Sequence, residues 1–199
     1  MRLSSGLKAE VAVVDLDGTL LSCNSFTEFV KFIFRRKPSL RFQLALIVLR
    51  RKLRLLSHSE AKQHILHLVA GKLHSGDINS FITRLHRYLN DDVVAFVSSC
   101  PKKLLATAAP ALYARPLGDS LGFDEVVATE IGGDENKGEK KLDSVRKSGM
   151  PFGPGVAVVS DHSDDMPLFL ANRNGINILV TSQGPEIITI ADCRPTTGI

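Results

Sequence analysis

The chain has 199 residues, of which 44% are hydrophobic and 23% are charged, and this composition excludes an intrinsically disordered or fibrous protein. The net charge of +4 is unevenly distributed: residues 31–89 hold 13 Lys and Arg but two acids, a net of +11, which leaves −7 for the remainder. The longest apolar run in the first half, residues 44–49, is too short to span a bilayer. No signal peptide is expected in residues 1–10, and the unpaired spacing of Cys23, Cys100 and Cys193 predicts reduced thiols in a cytoplasmic protein.

The first predicted element is a buried strand at residues 11–14, Val-Ala-Val-Val, because its residues are apolar, mostly β-branched and bounded by polar ones. Asp15 and Asp17 follow it directly. Two like charges buried together are costly unless a cation offsets them, so the pair predicts a Mg²⁺ site with one carboxylate free to act as a nucleophile. The alternative is a strand that ends in an acidic turn, because Asp-Gly is common in turns.

The basic segment that follows is predicted to be a small helical cap domain, residues 21–90, inserted into a core formed by residues 1–20 and 91–199. Capping-box patterns begin at Ser25 and Ser57. The predicted helices span residues 26–37, 40–56 and 61–70, and Asp77 is expected to cap a fourth helix that runs through Leu89. His64 and His67 have no Cys or carboxylate partners at ligand spacing, so they are expected to be structural or surface residues.

Helices and strands alternate through the rest of the chain. Strands are predicted at residues 104–106, 126–128, 156–159 and 176–180, and helices at residues 92–100, 110–121, 138–147 and 166–171. This alternation predicts an α/β fold, a Rossmann-like parallel sheet with helices on both faces. Ligands bind such sheets at the carboxyl ends of the strands, near a switch in strand order.

Two more polar residues follow predicted strands, Thr107 after residues 104–106 and Asp161 after residues 156–159. Residues 93–97 compete as a strand, since Ser98 and Ser99 follow them. They lie only six residues before Leu104, however, and parallel neighbours need a crossover of a dozen or more residues. Thr107 is therefore the favoured hydroxyl, and its alternative role is to cap the following helix.

The order Asp15-x-Asp17-Gly-Thr19, Thr107, Lys137 and Asp161-x-x-x-Asp165 resembles the haloacid dehalogenase-like phosphatases, in particular the branch that contains phosphoserine phosphatase. The resemblance covers residues 11–180 and implies a Mg²⁺-dependent phosphatase acting on a small-molecule phosphomonoester. Asp15 is then the nucleophile that forms an aspartyl-phosphate, and Asp17 is the acid and base for the leaving alcohol and the attacking water. Asp161 completes the Mg²⁺ site with the Asp15 carboxylate and the Asp17 backbone carbonyl.

Lys137 is expected to neutralise charge between the nucleophile and the phosphoryl group. Lys140 and Lys141 are rivals, but the Lys-Gly-Glu pattern at Lys137 matches the family better. A helix with three lysines is otherwise a solvated face. Asp165 is expected to hold Lys137 or a metal-bound water, and Asp164 is the alternative, because the Asp-Asp pair leaves the register open. The other explanation of Asp164 and Asp165 is that their negative charge is favourable at the N-terminus of the following helix.

The sequence departs from phosphoserine phosphatases in two places. Residues 22–25 hold no acid to meet a substrate amine, and none occurs before Glu28. The hydroxyl of Thr107 is followed by two alanines instead of the Ser-Gly typical of that branch. Both departures argue against phosphoserine as the substrate. Ser160 also replaces the Gly usual before the last Asp motif.

The basic insertion raises the question of partners. Arginines flank the apolar run of residues 44–49, and such a helix can associate weakly with an anionic membrane surface. The chain then resembles the phosphatidylglycerophosphate phosphatases of the same branch, although their membrane segments are longer. The alternative is a helix that packs its apolar face inward and shows its arginines to water. No nucleic-acid partner is expected, since interleaved aromatic residues are missing. A phosphotransferase and a non-catalytic basic binding module are the other functions left open.

Overall fold

The computed structural model describes residues 7–189, and its strands and helices alternate after a helical insertion. Cys193 lies outside the described residues. The elements in chain order are β1 (Val11–Val14), α1 (Ser25–Arg36), α2 (Arg41–Lys52), α3 (His58–Val69), α4 (Ser75–Leu85), α5 (Asp91–Ser98), β2 (Lys102–Pro110), α6 (Ala111–Ser120), β3 (Glu125–Thr129), α7 (Glu139–Lys147), β4 (Val156–Ser160), α8 (Met166–Ala171), β5 (Ile176–Thr181) and β6 (Gly184–Ile188).

The strands form one sheet in the order β3-β2-β1-β4-β5-β6. All neighbouring pairs are parallel except β5 and β6, so the predicted Rossmann-like α/β fold is confirmed. The chain moves outward from β1 to β3 and then returns to the other side of β1 at β4, which places the switch in strand order between β1 and β4. The prediction missed β6. Its first residues, Gly184-Pro185, disfavour a strand in general, but an edge strand tolerates Pro.

The side chains of the central strands alternate between two hydrophobic layers. Ala12 and Val14 belong to the layer that contains α1, α3, α4, α5 and α6, whereas Val11 and Val13 belong to the layer under α7 and α8. The first layer continues without a break from the sheet into the inserted helices. Burial on both faces explains why these strands are apolar throughout instead of alternating with polar residues.

The four inserted helices form where the sequence predicted them, with differences at their ends. Asn24, not Ser25, caps α1 by accepting a hydrogen bond from the backbone N–H of Thr27 at 2.9 Å. The capping box at Ser57 is confirmed. Helix α2 ends at Lys52, earlier than predicted, where Arg54 adopts a left-handed φ of 59°. No helix in residues 7–189 combines the length and the apolar character that crossing a membrane would require.

Asp77 also differs from its prediction, because it lies in the first turn of α4 and completes a capping box with His74 instead of being the N-cap residue. Its carboxylate accepts a hydrogen bond from the backbone N–H of His74 at 3.2 Å and pairs with Lys37 at 2.8 Å and Arg36 at 3.3 Å. The hydrogen bond from Lys37, followed by that from the His74 backbone, lowers the pKa of Asp77 from 3.8 to about 2. Asp77 thereby ties α4 to the end of α1.

Helix α4 ends at Leu85, and a short 3₁₀ turn, His86–Tyr88, follows it.

We expect Asp77→Asn to lower the free energy of unfolding at pH 7 by about 1 kcal/mol, the usual cost of losing a charged helix-capping interaction. Because the pKa of Asp77 is lower in the folded state, its contribution is present above the unfolded value and is lost as the pH falls. By pH 3, about half of the contribution of ionised Asp77 to the free energy of unfolding should be lost. Urea unfolding of both proteins at pH 7 and pH 3 measures this. An equal difference at the two pH values would contradict it.

Candidate functional site

The centre of the site is a buried lysine between two carboxylates. Asp15 follows β1, and Lys141 in the first turn of α7 places its Nζ 2.8 Å from Asp15 Oδ1. The same Nζ lies 2.7 and 2.8 Å from the two carboxylate oxygens of Asp165. Lys141 and Asp165 are only 3% and 2% exposed, so water screens this triad little.

The opposite charges of Lys141 and the two carboxylates offset part of the cost of burying them. Burial raises the pKa of Asp15 from 3.8 to about 7; the positive charge of Lys141 opposes this rise, and the negative charge of Asp165 adds to it. Burial disfavours the charged form of Lys141, but Asp15 and Asp165 outweigh it and raise the pKa of the lysine. Lys141 therefore stays charged at the end of β1, where it faces negative groups.

The structure places Lys141, not Lys137, against Asp15. Lys137 precedes α7, and its Nζ pairs instead with Asp164 at 2.6 Å, with half of its side chain exposed. Lys140 pairs with Asp134 on the surface. Helix α7 begins after Gly138, whose φ is 58°, and its first turn directs position 141 to the buried face shared with Leu142 and Val145. The apolar spacing of α7 was the signal that could have identified Lys141.

Asp165, not Asp164, occupies the buried position of the Asp-Asp pair. Ser160 Oγ donates a hydrogen bond to Asp165 Oδ2 at 2.6 Å, and the backbone N–H of His162 donates to Ser160 Oγ at 3.2 Å. Ser160 thus orients the carboxylate that holds Lys141. Asp164 stays at the mouth of the site with Lys137.

Asp17 is held by the start of α1. Its Oδ1 accepts a hydrogen bond from the backbone N–H of Ser25 at 2.7 Å. Burial raises the pKa of Asp17. The hydrogen bonds from Ser25 lower this pKa, but by less than burial raises it. Gly18 has a φ of 79°, and a Cβ there would lie 2.0 Å from Asp161 Oδ2. A side chain at position 18 would therefore push Asp161 away from Asp15 and Asp17.

Asp161 follows β4 and faces the same cleft. Thr19 Oγ1 donates a hydrogen bond to Asp161 Oδ1 at 3.2 Å, and burial raises the pKa of Asp161. Across residues 7–189, no group of three or more His, Cys, Asp and Glu side chains is arranged to hold a metal ion by itself. Mg²⁺ needs fewer, because it uses one or two carboxylates with water and phosphate oxygens. The raised pKa values of Asp15 and Asp161 mark two carboxylates that a cation would stabilise.

Thr107 lies inside β2, not beyond its end as predicted. The pairing of β2 with β1 stops at Leu105, and its pairing with β3 is irregular between Ala106 and Pro110. Thr107 Oγ1 accepts a hydrogen bond from the backbone N–H of Ala109 at 3.0 Å, and α6 begins only at Ala111, so Thr107 does not cap that helix. Thr107 nevertheless lines the same cleft as Asp15 and Asp161.

These side chains share one cleft of about 480 Å³ with residues from the insertion. Among the latter are Phe26, His58 and Lys62, which the sequence analysis did not identify. Lys62 is buried, its Nζ donates to the Ala108 carbonyl at 3.2 Å, and it pairs with Glu135. No motif marks Lys62; its only signal was the basic character of the insertion.

Asn136 was also missed, and it fixes the segment that leads into α7. Its side-chain amide donates hydrogen bonds to the carbonyls of Thr107 at 3.1 Å and Val127 at 3.2 Å, while its backbone N–H donates to Thr129 Oγ1 at 3.0 Å. The start of α7 is thereby bound to β2 and β3. This contact sets the position from which Lys141 reaches Asp15.

Glu28, the first acid after Asp17, does not face the cleft. It is 7% exposed and pairs with Arg84 at 2.6 Å and Lys31 at 2.7 Å. The hydrogen bond from Lys31 is the largest cause that lowers its pKa. Its charge is therefore used within the insertion and is not presented to a ligand.

Comparisons with known proteins bear on the family and the fold of the chain. The family model for haloacid dehalogenase-like hydrolases matches residues 12–170. A protein of unknown function from Bordetella pertussis Tohama I is similar, with 21% identity and a TM-score of 0.63 over 83% of this chain and 87% of that chain. A predicted phosphatase from Clostridium acetobutylicum has 18% identity and a TM-score of 0.53 over 88% and 86% of the two chains.

A phosphoserine phosphohydrolase-like protein from Francisella tularensis subsp. tularensis SCHU S4 has 16% identity and a TM-score of 0.50, over 81% of this chain and 82% of that chain. At these sequence identities, the three structures show that this chain shares their fold and nothing more specific. No curated protein matches the chain in sequence.

We expect Lys141→Ala to lower the free energy of unfolding at pH 8 by about 3 kcal/mol, because it leaves two buried carboxylates without their cation. Lys137→Ala, which breaks a half-exposed pair, should change it by less than about 1 kcal/mol. The loss from Lys141→Ala should shrink toward pH 5, since protonation removes the unpaired charge. Urea unfolding at both pH values measures this, and equal effects of the two substitutions would contradict the assignment.

Proposed function

The chain belongs to the haloacid dehalogenase-like hydrolases, and we propose that it is a Mg²⁺-dependent phosphatase that hydrolyses a phosphomonoester through an aspartyl-phosphate at Asp15. The observation that carries this proposal is the buried Lys141 held between Asp15 and Asp165 beside an open cleft. A phosphate ester repels nucleophiles, and a fixed cation beside the attacking carboxylate lowers that repulsion. The rest of the site supplies the other groups that the reaction needs.

Asp15 would attack the phosphorus, so that a new bond from its carboxylate oxygen replaces the ester bond to the leaving alcohol. Its place after the central strand, with its backbone N–H bound to the Val159 carbonyl at 2.9 Å, supports this role, because a nucleophile must be held in line with the bond it breaks. Lys141 and Thr107 would contact the phosphoryl oxygens. In this proposal, Lys137 keeps Asp164 at the mouth of the cleft and takes no direct part.

Asp17 would donate a proton to the leaving alcohol and then take one from the water that hydrolyses the aspartyl-phosphate. Two observations support this assignment. The raised pKa of Asp17 favours its protonated form more than that of an exposed carboxyl. The hydrogen bond from the Ser25 backbone also fixes the side chain at the cleft wall, on the side of the insertion.

Mg²⁺ would be held by the carboxylates of Asp15 and Asp161 and by the backbone carbonyl of Asp17, and Thr19 would orient Asp161 through its hydroxyl. When bound, this ion would neutralise charge on the phosphoryl oxygens. The donor set fits a hard cation, because all of its atoms are oxygens.

We propose that the insertion, residues 21–90, selects the substrate, because Phe26, His58 and Lys62 from its helices α1 and α3 line the cleft. Glu28 is engaged by Arg84 and Lys31, so the insertion offers no free acid to an amino group. This disfavours phosphoserine and favours a substrate without an amine beside the phosphate. The cytoplasmic location and the choice between hydrolysis and transfer to an alcohol stay predictions; phosphate transfer to an added alcohol tests the latter.

We expect Asp15→Asn to lower kcat on an aryl phosphate by at least about a hundredfold, since the amide is a poor nucleophile toward phosphorus. The folded structure should persist, because Asn keeps the shape of the side chain. Phosphate release and thermal unfolding are the two measurements. Asp119→Asn, a substitution at an exposed position of α6, is the matched control and should leave kcat unchanged. Residual activity above about a hundredth of the original would exclude Asp15 as the nucleophile.

Removal of divalent metal should stop turnover, and Mg²⁺ should restore it. Ca²⁺ should replace Mg²⁺ poorly, because Ca²⁺ accepts looser and higher coordination. Phosphate release from a metal-stripped sample, titrated with each ion, measures the effect. Full activity without added metal would contradict the assigned site.

A further inference from the structure

Helix α2 leaves almost all of its apolar side chains in solvent. Only Leu44 of its twelve residues is buried. Phe42 is 81% exposed and Leu49 is 51% exposed, values unusual for large apolar side chains. Seven exposed apolar residues lie between positions 34 and 55, and together they are called the α2 surface: Phe34, Phe42, Leu46, Val48, Leu49, Leu53 and Leu55.

Positive charge predominates around the α2 surface, although Asp77 pairs with Arg36 and Lys37. Residues 29–59 contain nine Lys and Arg and no Asp or Glu. Eight of these cations flank α2 or end it, in the groups Arg35, Arg36, Lys37 and Arg41, and Arg50, Arg51, Lys52 and Arg54. A second copy of the chain would bring the same charge to the same face, so repulsion opposes self-association there. An anionic lipid surface offers negative charge to the cations of this face and hydrocarbon to its exposed apolar side chains.

Two adjoining hollows, together called the groove, lie between the α2 surface and the catalytic cleft. An inner hollow of about 290 Å³ lies between α1, α2 and α3 and shares Phe26 and His58 with the cleft. An outer hollow of about 530 Å³ lies between α1 and α2 and shares Val30 and Val48 with the inner one. Lys31 and Lys52 line both hollows, so the groove has apolar walls and positive edges. That combination suits a hydrocarbon chain with an anionic head.

We propose that the α2 surface docks on an anionic bilayer and that the substrate is a lipid phosphomonoester whose hydrocarbon chain lies in the groove while its phosphate reaches Asp15. The choice of substrate rests on the proposed function, whereas the docking does not. In the reaction, the ester P–O bond breaks as the bond from Asp15 to phosphorus forms. The lipid alcohol leaves with the proton from Asp17, and water then releases inorganic phosphate.

Docking is tested by sedimentation of the whole protein with vesicles of phosphatidylcholine, with and without phosphatidylglycerol. We expect binding to the anionic vesicles alone, weakened at least tenfold by high salt, since exposed charges are screened. Phe42→Glu with Leu49→Glu should lower binding by at least tenfold. Leu170→Glu with Ile187→Glu is the matched control, because both side chains are 51% exposed outside the α2 surface. Equal binding of the two double variants, or no binding of the original protein, would overturn the docking.

The substrate is tested with dioleoyl phosphatidic acid in the same vesicles, compared with glycerol 3-phosphate and an aryl phosphate in solution. We expect kcat/KM to be at least tenfold higher for the lipid. Val48→Trp, which fills the groove, should raise KM for the lipid at least tenfold and leave the aryl phosphate unchanged. A lipid rate no higher than that of glycerol 3-phosphate would overturn the substrate class.

The failures can be told apart. Lack of turnover on all three phosphates, with Mg²⁺ present, would count against the proposed phosphatase function and leave the vesicle result standing. A change from dimer to monomer on Phe42→Glu with Leu49→Glu, measured by light scattering, would show that a second copy covers the α2 surface and would overturn the lipid proposal.

Discussion

The site depends on one constraint: two carboxylates buried at the carboxyl edge of the sheet need a cation between them. Lys141 meets this need for Asp15 and Asp165, and without it their mutual repulsion would add to the cost of burial. The neighbouring contacts serve to hold this triad. Ser160 orients Asp165, and Asn136 fixes the segment from which α7 starts. The segments that follow β1, precede α7 and follow β4 thus meet at a single electrostatic requirement.

The strand order determines where that requirement arises. Because β1 is central, Asp15 lies between the ends of β2 and β4, and both neighbours contribute a polar residue to the same cleft. The reversal of strand order between β1 and β4 leaves room beside Asp15, since no helix crosses directly over that point. The helical insertion after β1 then borders this opening with α1 and α3. Core and insertion meet at the place where the chemistry is proposed.

Most of the fold could be predicted from the sequence because apolar strands and capped helices leave local signals. Asp15, Asp17 and Asp161 line the cleft, and their place there was predictable because each lies within three residues of the end of a strand. The choice of Lys141 over Lys137 could not be made from the short motif, because it depends on where α7 begins and which way its first turn faces. Lys62 could not be found at all, since its place at the cleft depends on how α3 packs against the β2 end.

The exposure of α2 was equally beyond sequence reasoning. Its apolar spacing predicts a helix that buries one face, and the insertion does bury the corresponding faces of α1, α3 and α4. Helix α2 differs because Leu44 alone of its twelve residues is buried in the core. The exposed apolar side chains of this helix therefore gain little from burial. The apolar residues and cations retained there are instead consistent with a face that meets hydrocarbon and negative charge beside the entrance to the groove.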